Sequence, residues 1–419
     1  MFVRLSALIE AEQKRLPPAP SIHRGRPKVL ALLQLPPPVH GVTTINRIIQ
    51  NSPVLREHFD FTFVPLRFAS EIDDVGQFRL WKVGRAFAIA KDLMRALRRV
   101  RPDLVYFTLC PTGGAFLRDL LFVLVIKVSG VPLTYHLHGK GVREAVKKHP
   151  LLKPLYRWCF RNVDVIHLSR ALFPDVEAWV PKERLFAVPN GFVGPSKVPE
   201  RIRTETQAPT ISFMSSMLAA KGPLVLLSAL AILRESGLDF RAEFAGPWRE
   251  PETKAAFESM VREHGLVDRV AYLGPVYGAD KEAFFGRADI FAFPTLSDAF
   301  PLASIEAMAH GLPVVASREG ALSEIVVEGH TGLLIVKSDF EGVAAALEKL
   351  IRDPKLRAEM GRAGRSRYEQ TYQLHHFEEK LVDALNAPLR RQEPDRLMRP
   401  GSHVPPRSNS ARDRQEVRR

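Results

Sequence analysis

The stretch FAFPTLSDAFPLASIEAMAHGLPVVASREGALSEIVVEGHTGLL, residues Phe291–Leu334, predicts a strand, a loop and a helix in succession. An apolar run of β type ends at Pro294, and a polar turn that carries Asp298 follows it. Pro301 suits the first helical turn because its missing N–H would have no partner there, and Gly311 suits the left-handed position after the last turn. The N–H groups of the helix start would therefore face the loop of Asp298, where they attract phosphate or sugar oxygens.

Two carboxylates eight residues apart carry a resemblance to a known family. Asp298 and Glu306 lie in DAFPLASIEAMAHGLPVVAS, which resembles the E-x7-E motif of retaining glycosyltransferases of the GT-B fold, family four, also called glycosyltransferase group 1. The continuation GALSEIVVEGHTGLL matches the same family. Two acids at that spacing are a weak signal alone, and the agreement along the whole stretch is what favours the family. The first acid is Asp298, where the family usually has Glu.

The resemblance implies an α/β protein with the GT-B fold, in which two doubly wound Rossmann-like domains face a cleft. The alternation of apolar strands and helices begins at Lys28 and restarts at Thr210, as two such domains require. The predicted divisions are an N-terminal extension (1–27), an acceptor-side domain (28–200), a nucleotide-sugar-binding domain whose last helix crosses back to the first (201–386), and a disordered basic tail (387–419).

The resemblance also implies roles for individual residues. Glu306 would hold the ribose hydroxyls of the donor, Asp298 would lie against the donor sugar, and His138 would position that sugar from the opposite domain. Lys221, at a helix start, and the backbone amides of the loop after Asp298 would stabilise the leaving diphosphate. The predicted catalytic residues are thus His138 and Asp298, and the predicted donor-binding residues are Gly41, Lys221, Ala299, Phe300, Pro301, Leu302 and Glu306.

The loop before Gly41 and Ser216 differ from the family pattern, and His136 has a structural interpretation. The loop before Gly41 has three prolines where the family usually has a second glycine, so an ordinary turn between strand and helix explains it equally well. Ser216 stands where an arginine usually precedes Lys221, which weakens diphosphate neutralisation unless Arg249 or another residue substitutes. His136 lies on the same strand face as His138 but further into the sheet, and we interpret it as a structural histidine.

Length and composition set further limits. The 419 residues predict two domains. Cys110 and Cys159 have no metal or disulfide spacing and are interpreted as small core residues. No D-x-D sequence occurs, so a metal cofactor is not implied and the nucleotide-sugar is the expected co-substrate. The longest apolar run, Leu120–Ile126, is too short to span a bilayer, and the start of the chain lacks the features of a secretory signal. These observations predict a cytoplasmic protein, peripheral at the inner face of the membrane.

The net charge of +14 is concentrated in the first half of the chain. Arg79–Arg101 holds eight basic residues and one acidic residue, and Lys140–Arg161 holds seven and one. This pattern fits attraction to an anionic membrane surface through residues 79–161, or to a phosphate-bearing acceptor. Solvated helix faces explain the charge equally well. No recognised DNA or RNA module accompanies it, so nucleic acid is not an expected partner.

The resulting hypothesis is a retaining, hexosyltransferase-type glycosyltransferase that moves a sugar from a nucleotide-sugar to a glycan or lipid-linked acceptor in surface polysaccharide or glycolipid synthesis. Two alternatives stay open. A sugar-nucleotide epimerase of the same fold would isomerise its donor without an acceptor. A nucleotide-sugar-binding protein with a degenerate site, suggested by Ser216 and Asp298, would bind without turnover.

Overall fold

The computed structural model describes residues 25–36, 41–68, 80–198 and 208–397. Most of the predicted N-terminal extension and the predicted boundary between residues 200 and 201 lie outside this part of the chain. Two six-stranded parallel sheets flanked by helices form two α/β domains. The predicted doubly wound α/β architecture is confirmed.

The first domain contains six strands and six α-helices within the described residues. The strands are β1 (Lys28–Leu33), β2 (Asp60–Pro65), β3 (Leu104–Phe107), β4 (Leu133–Leu137), β5 (Asp164–His167) and β6 (Leu185–Ala187). The helices are α1 (Gly41–Asn51), α2 (Pro53–His58), α3 (Leu80–Val100), α4 (Gly113–Ser129), α5 (Val142–Lys148) and α6 (Lys153–Phe160). The strand order is β2-β1-β3-β4-β5-β6.

The second domain repeats this arrangement. Its strands are β7 (Thr210–Met214), β8 (Arg241–Ala245), β9 (Val270–Tyr272), β10 (Ile290–Phe293), β11 (Val314–Ser317) and β12 (Gly332–Ile335), in the order β12-β11-β10-β7-β8-β9. Its helices are α7 (Pro223–Glu235), α8 (Pro251–Glu263), α9 (Gly278–Arg287), α10 (Leu302–Ala309), α11 (Leu322–Ile325), α12 (Phe340–Arg352), α13 (Pro354–Thr371) and α14 (Leu374–Leu397).

The inner strands are apolar on both faces because helices cover both sides of each sheet. β3, β4, β10 and β11 are buried at every position, whereas the edge strand β2 is largely half-buried. Sheet position therefore explains why the inner strands read as continuous apolar runs without alternation.

The carboxyl edges of the two sheets face each other across a cleft. Lys140, in the loop after β4, forms an ion pair with Glu319, in the loop after β11. At the start of α1, a Cβ on Gly41 would lie 3.6 Å from Leu302 Cδ1 at the start of α10. Ligands of parallel α/β sheets bind at the carboxyl ends of the strands, so this cleft is the natural place for a site.

The last helix, α14, packs against the first domain. Its residues Phe377, Leu381 and Leu385 join the apolar cluster formed by β1, β3, α1 and α2. Ser52 Oγ donates a hydrogen bond of 2.5 Å to Glu378 Oε1 in the same contact. A helix that follows the second sheet in the chain thus closes the core of the first.

The predicted disorder from residue 387 is wrong for residues 387–397, which belong to α14. Pro388 lies at the start of this segment, and a proline favours the end of a helix because it lacks an N–H. The helix continues because its next turn is held by tertiary contacts: Leu389 packs on the first-domain cluster, and the Arg391 guanidinium bonds the Asp164 carboxylate. Residues 398–419 lie outside the described residues. Within the described ranges, none of the helices combines the length and apolarity that a membrane-spanning segment needs.

We expect Arg391→Ala to lower the free energy of unfolding by about 1–3 kcal/mol, since the Asp164 carboxylate, 5% exposed, would lose its main partner. Arg184 lies 3.9 Å away and offsets part of the loss. Urea titration measures the change, and Arg390→Ala, at an exposed position, is the matched control. Equal destabilisation by the two substitutions would contradict the assignment.

Candidate functional site

The second sheet has its topological switch point between β7 and β10, where successive strands diverge to opposite sides. A short 3₁₀ turn after β7 ends at Lys221, whose Nζ donates to Asp298 Oδ2 at 2.7 Å and to the Ser297 carbonyl at 3.0 Å. Gly222 has φ +81°, and a Cβ there would lie 2.0 Å from the Pro294 carbonyl oxygen. Glycine at this position thus lets the lysine turn approach the loop after β10.

The loop between β10 and α10 is organised by Asp298. Its Oδ1 accepts the Phe300 N–H at 3.1 Å. Pro301 is the N-cap of α10 instead of lying in its first turn, and it has no N–H to offer. The prediction included all four residues from Ala299 to Leu302 as donor-binding. As N–H donors to a diphosphate, Pro301 is excluded because it has no N–H, and the Phe300 N–H is already bonded. Ala299 and Leu302 keep N–H groups that bond no other described residue.

Glu306 lies one turn into α10 and is 15% exposed. Its Oε1 accepts a 2.8 Å hydrogen bond from Lys281 Nζ on α9. The sequence analysis did not predict Lys281 as a partner, because nothing in the helix pattern distinguishes it from other polar residues. The predicted ribose-binding carboxylate is thus paired with a lysine in the ligand-free protein.

Glu319 is a site residue that the sequence analysis missed. Its side chain is 6% exposed and bonds Lys140 from the first domain and Lys337 from the second, at 2.9 Å for Lys337. The Asp298 N–H donates to it at 3.4 Å. Burial alone would raise the pKa of Glu319, but the two lysines outweigh burial and hold that pKa below its usual range. The sequence does contain a signal for Glu319, because this residue follows the apolar strand β11 at the sheet edge where ligands bind.

His138 follows β4 directly and lies in the same loop as Lys140. Its ring packs on that of His136, with centroids 4.1 Å apart, and His136 Nδ1 is 2.5 Å from the Tyr106 hydroxyl. His136 is fully buried, as a structural histidine should be. Burial, and then the neighbouring His138 and His167, lower the pKa of His136 well below its ordinary value.

The cleft brings most of the predicted residues together. Lys221 and Asp298 are bonded, Gly41 lies against Leu302, and Glu319 connects the Asp298 loop to the loop of His138. Near Ser216, where a cation is missing, the Arg249 backbone N–H bonds Met217 at 3.4 Å. Among the residues that the structure describes, no group of three or more His, Cys, Asp or Glu side chains is arranged to hold a metal ion.

Comparison with known sequences identifies the second domain. Residues 197–367 match the sequence model of the family described as Glycosyl transferases group 1. The matched residues span most of the second domain, which is called the group 1 domain below. The resemblance carried by the stretch from Asp298 to Leu334 is thereby confirmed for the group 1 domain.

Individual relatives match only part of the chain. A D-inositol 3-phosphate glycosyltransferase of Pseudarthrobacter chlorophenolicus is 36% identical over 153 residues, 36% of each chain. The corresponding protein of Corynebacterium glutamicum is 34% identical over 175 residues, 40% of this chain and 42% of the relative. The matching segment therefore spans less than half the length of these relatives.

Solved structures resemble the whole described architecture. Sucrose-phosphate synthase from Thermosynechococcus elongatus has a TM-score of 0.67 at 17% identity and covers 88% of this chain and 100% of that one. The Anabaena protein HepE in complex with UDP and glucose has a TM-score of 0.65 at 19% identity, covering 86% and 100%. At such identities the likeness shows the fold, and the predicted GT-B fold is confirmed.

The buried histidines predict a loss of stability in acid. Burial, and then the nearby His138, lower the pKa of His167 from its ordinary value to about 3. The unfolded chain takes up a proton at this residue below about pH 6.5 and the folded chain does not, so stability is full above about pH 6.5 and falls toward pH 3. We expect His167→Asn to reduce the slope of the free energy of unfolding against pH, between about pH 6.5 and pH 3, by up to about 1.4 kcal/mol per pH unit.

Urea titrations at several pH values between 7.5 and 4 measure this slope. His149→Asn, at an exposed position of the same domain, is the control and should leave the slope unchanged. A slope equal to that of the wild-type protein in His167→Asn would show that His167 is protonated in the folded state.

Proposed function

We propose that the chain is a glycosyltransferase that moves a sugar from a nucleotide-sugar, bound by the group 1 domain, to an acceptor bound by the first domain. The observation that carries the proposal is the Lys221–Asp298 pair at the switch point of the second sheet. Glu319 connects that loop to Lys140, two residues after His138. The HepE structure, which contains UDP and glucose, supports a nucleotide-sugar as the donor class.

The proposed reaction begins with an exchange of ionic partners. A donor diphosphate would take the Lys221 ammonium group from Asp298, and the N–H groups of Ala299 and Leu302 would add to the stabilisation as negative charge develops on the leaving group. The released Asp298 carboxylate would then face the donor sugar. An N–H or ammonium group aimed at developing charge in a water-poor cleft stabilises the transition state more than the ground state.

The other predicted residues complete this scheme. Glu306 would bind the ribose hydroxyls after leaving Lys281, and His138 would position the sugar from the first domain. Retention of configuration rests on the family resemblance. We propose that no metal cofactor takes part, because the chain contains no D-x-D sequence.

For the acceptor, we propose a glycan or lipid-linked molecule of surface polysaccharide or glycolipid synthesis. The concentration of positive charge in the first half of the chain supports an anionic acceptor. The relatives named D-inositol 3-phosphate glycosyltransferases support a phosphate group as the source of that negative charge.

We also propose that α3 and α4 contact an anionic membrane surface. These adjacent helices of the first domain expose large apolar side chains, of which Phe87 is 62% exposed and Val128 is 79% exposed. The exposed set is Val83, Phe87, Met94, Leu117, Leu124 and Val128. Lys91 and Arg98 are exposed on the same side of α3. Apolar residues rimmed by basic ones are typical of surfaces that lie in the membrane interface.

We expect Glu306→Ala to weaken nucleotide binding about tenfold or more, since a hydrogen bond to a charged group contributes about 1.5–3 kcal/mol. The measurement is nucleotide release from UDP-, GDP- and ADP-sugars, with and without extracted membrane lipid, together with calorimetric binding of the nucleotide. Glu258→Ala, on the exposed side of α8, is the control.

Each outcome of this experiment separates the hypotheses. Release of nucleotide that depends on lipid and is lost in Glu306→Ala supports the glycosyltransferase. An isomerised donor without an acceptor would favour the epimerase. Binding without turnover on any acceptor or water would favour the degenerate site. Unchanged nucleotide affinity in a folded Glu306→Ala protein would refute the ribose assignment.

For the membrane contact, we expect Phe87→Ser to lower partitioning onto anionic vesicles about tenfold or more, because burying a Phe side chain contributes about 1.5–3 kcal/mol. Sedimentation with phosphatidylglycerol vesicles measures the bound fraction at low and high salt. Val267→Ser, which removes an exposed apolar side chain from the second domain, is the control. Equal partitioning at low and high salt would contradict a contribution from the basic residues.

A further inference from the structure

The first sheet has its own switch point, between β1 and β3, and the scheme above assigns no acceptor-binding residue to it. The chain passes from β1 to β2 on one side, and β3 and all later strands lie on the other side of β1. The carboxyl ends of β1 and β3 therefore border the crevice where ligands of such sheets bind. Gln34 follows β1, Cys110 follows β3, and Gln34 Nε2 donates to Cys110 Sγ at 3.0 Å across this crevice.

A buried ion pair lies directly beside these two residues. The Asp119 side chain on α4 is fully buried. Its Oδ2 accepts the Cys110 N–H at 3.0 Å, and its Oδ1 accepts two bonds from Arg118, at 2.9 Å from Nε and 2.7 Å from Nη2. The Arg118 guanidinium also stacks on Phe68, with its central carbon 3.9 Å from the ring centroid. The guanidinium is thus fixed by a carboxylate on one edge and an aromatic ring on one face.

This arrangement leaves part of the guanidinium available. The Arg118 side chain is 21% exposed. Its Nη2 also donates to Cys110 Sγ at 3.8 Å, and its Nη1 donates to no other described residue. Burial raises the pKa of the Cys110 thiol to about 12, so the neighbouring sulfur is uncharged and does not compete as an anion. A buried ion pair is expensive to desolvate, so a gain in stability does not by itself explain this pair.

The Arg118–Asp119 pair lies near the loop that carries His138. Cys110 is followed by Pro111, whose ring would lie 3.3 Å from a Cβ on Gly139. Gly139 is the residue after His138. A ligand held at Arg118 would therefore extend along the carboxyl edge of the sheet, from the switch point toward the loop of His138.

We propose that Arg118, oriented by Asp119 and assisted by Gln34, binds a phosphoryl group of the acceptor. The inference rests on the proposed function and assigns one part of its substrate to named residues. A fixed guanidinium whose Nη1 is left to donate suits a charged phosphoryl oxygen better than it suits a sugar hydroxyl. The Gln34 amide, which bonds the same sulfur, offers a second N–H to the phosphoryl group. The uncharged Cys110 thiol adds no competing negative charge.

The test is equilibrium dialysis of the full chain against radiolabelled sn-glycerol 3-phosphate, with saturating UDP present to fill the donor side. A second arm replaces the soluble ester with vesicles that contain phosphatidic acid, which distinguishes a free phosphate ester from a lipid headgroup. We expect Arg118→Gln to weaken binding at least tenfold in the arm that the wild-type protein prefers. Arg56→Gln, at an exposed position of the first domain outside residues 79–161, should bind as the wild-type protein does.

Because Arg118→Gln leaves the Asp119 carboxylate buried without its partner, the double variant Arg118→Gln/Asp119→Asn is measured beside it. Loss of binding in a folded double variant supports the proposal. Wild-type affinity in either variant, an equal loss in Arg56→Gln, or no binding of either probe by the wild-type protein would overturn it.

Donor hydrolysis without an acceptor is followed in the same preparations. If it is unchanged in Arg118→Gln while phosphate binding is lost, the effect belongs to the acceptor side. If the wild-type protein turns over no nucleotide-sugar, the proposed function fails. The dialysis result still decides whether Arg118 binds a phosphoryl group.

Discussion

The buried carboxylate of Glu319 is the constraint on which the geometry of the cleft depends. Removing a carboxylate from water is unfavourable unless hydrogen bonds and opposite charges replace the lost hydration. Glu319 obtains them from both domains: Lys140 of the first, Lys337 of the second, and the Asp298 N–H of the central loop. A change in the separation of the domains therefore alters the surroundings of Asp298, so the position of this loop and the closure of the cleft are coupled.

Each of the three acids of the cleft is paired with at least one lysine before any ligand enters. Asp298 pairs with Lys221, Glu306 with Lys281, and Glu319 with Lys140 and Lys337. In the proposed scheme a donor meets paired charges, and Asp298 and Glu306 would each exchange a lysine for a part of the donor. The first domain has the same design at Arg118 and Asp119. In both places the paired charges hold the side chains in position before a ligand binds.

Local signals in the sequence predicted local structure well. The prolines and Gly311 placed the loop and helix of the central stretch, and Gly311 has the left-handed φ of +67° that its position required. The partners of the acids could not be read in the same way, because Lys281 is 25 residues from Glu306 and Lys140 is 179 residues from Glu319. Pro388 misled the prediction for a related reason: the contact of Arg391 with Asp164, 227 residues away, extends a helix that local propensity would have ended.

Two residues depart from the family pattern, Asp298 in place of a glutamate and Ser216 in place of an arginine, and both affect how Lys221 is used. Asp298 is short enough for its carboxylate to bond the N–H two residues on, in the local turn typical of Asp, while its other oxygen binds Lys221. A glutamate has one more methylene group and would extend past that turn. Since Ser216 supplies no cation, Lys221 would meet the diphosphate without the usual arginine. The remaining neutralisation would have to come from the N–H groups of the loop and from Lys140 of the first domain. Both depend on the Glu319 contacts, so in the proposed scheme domain closure contributes to the stabilisation of the donor.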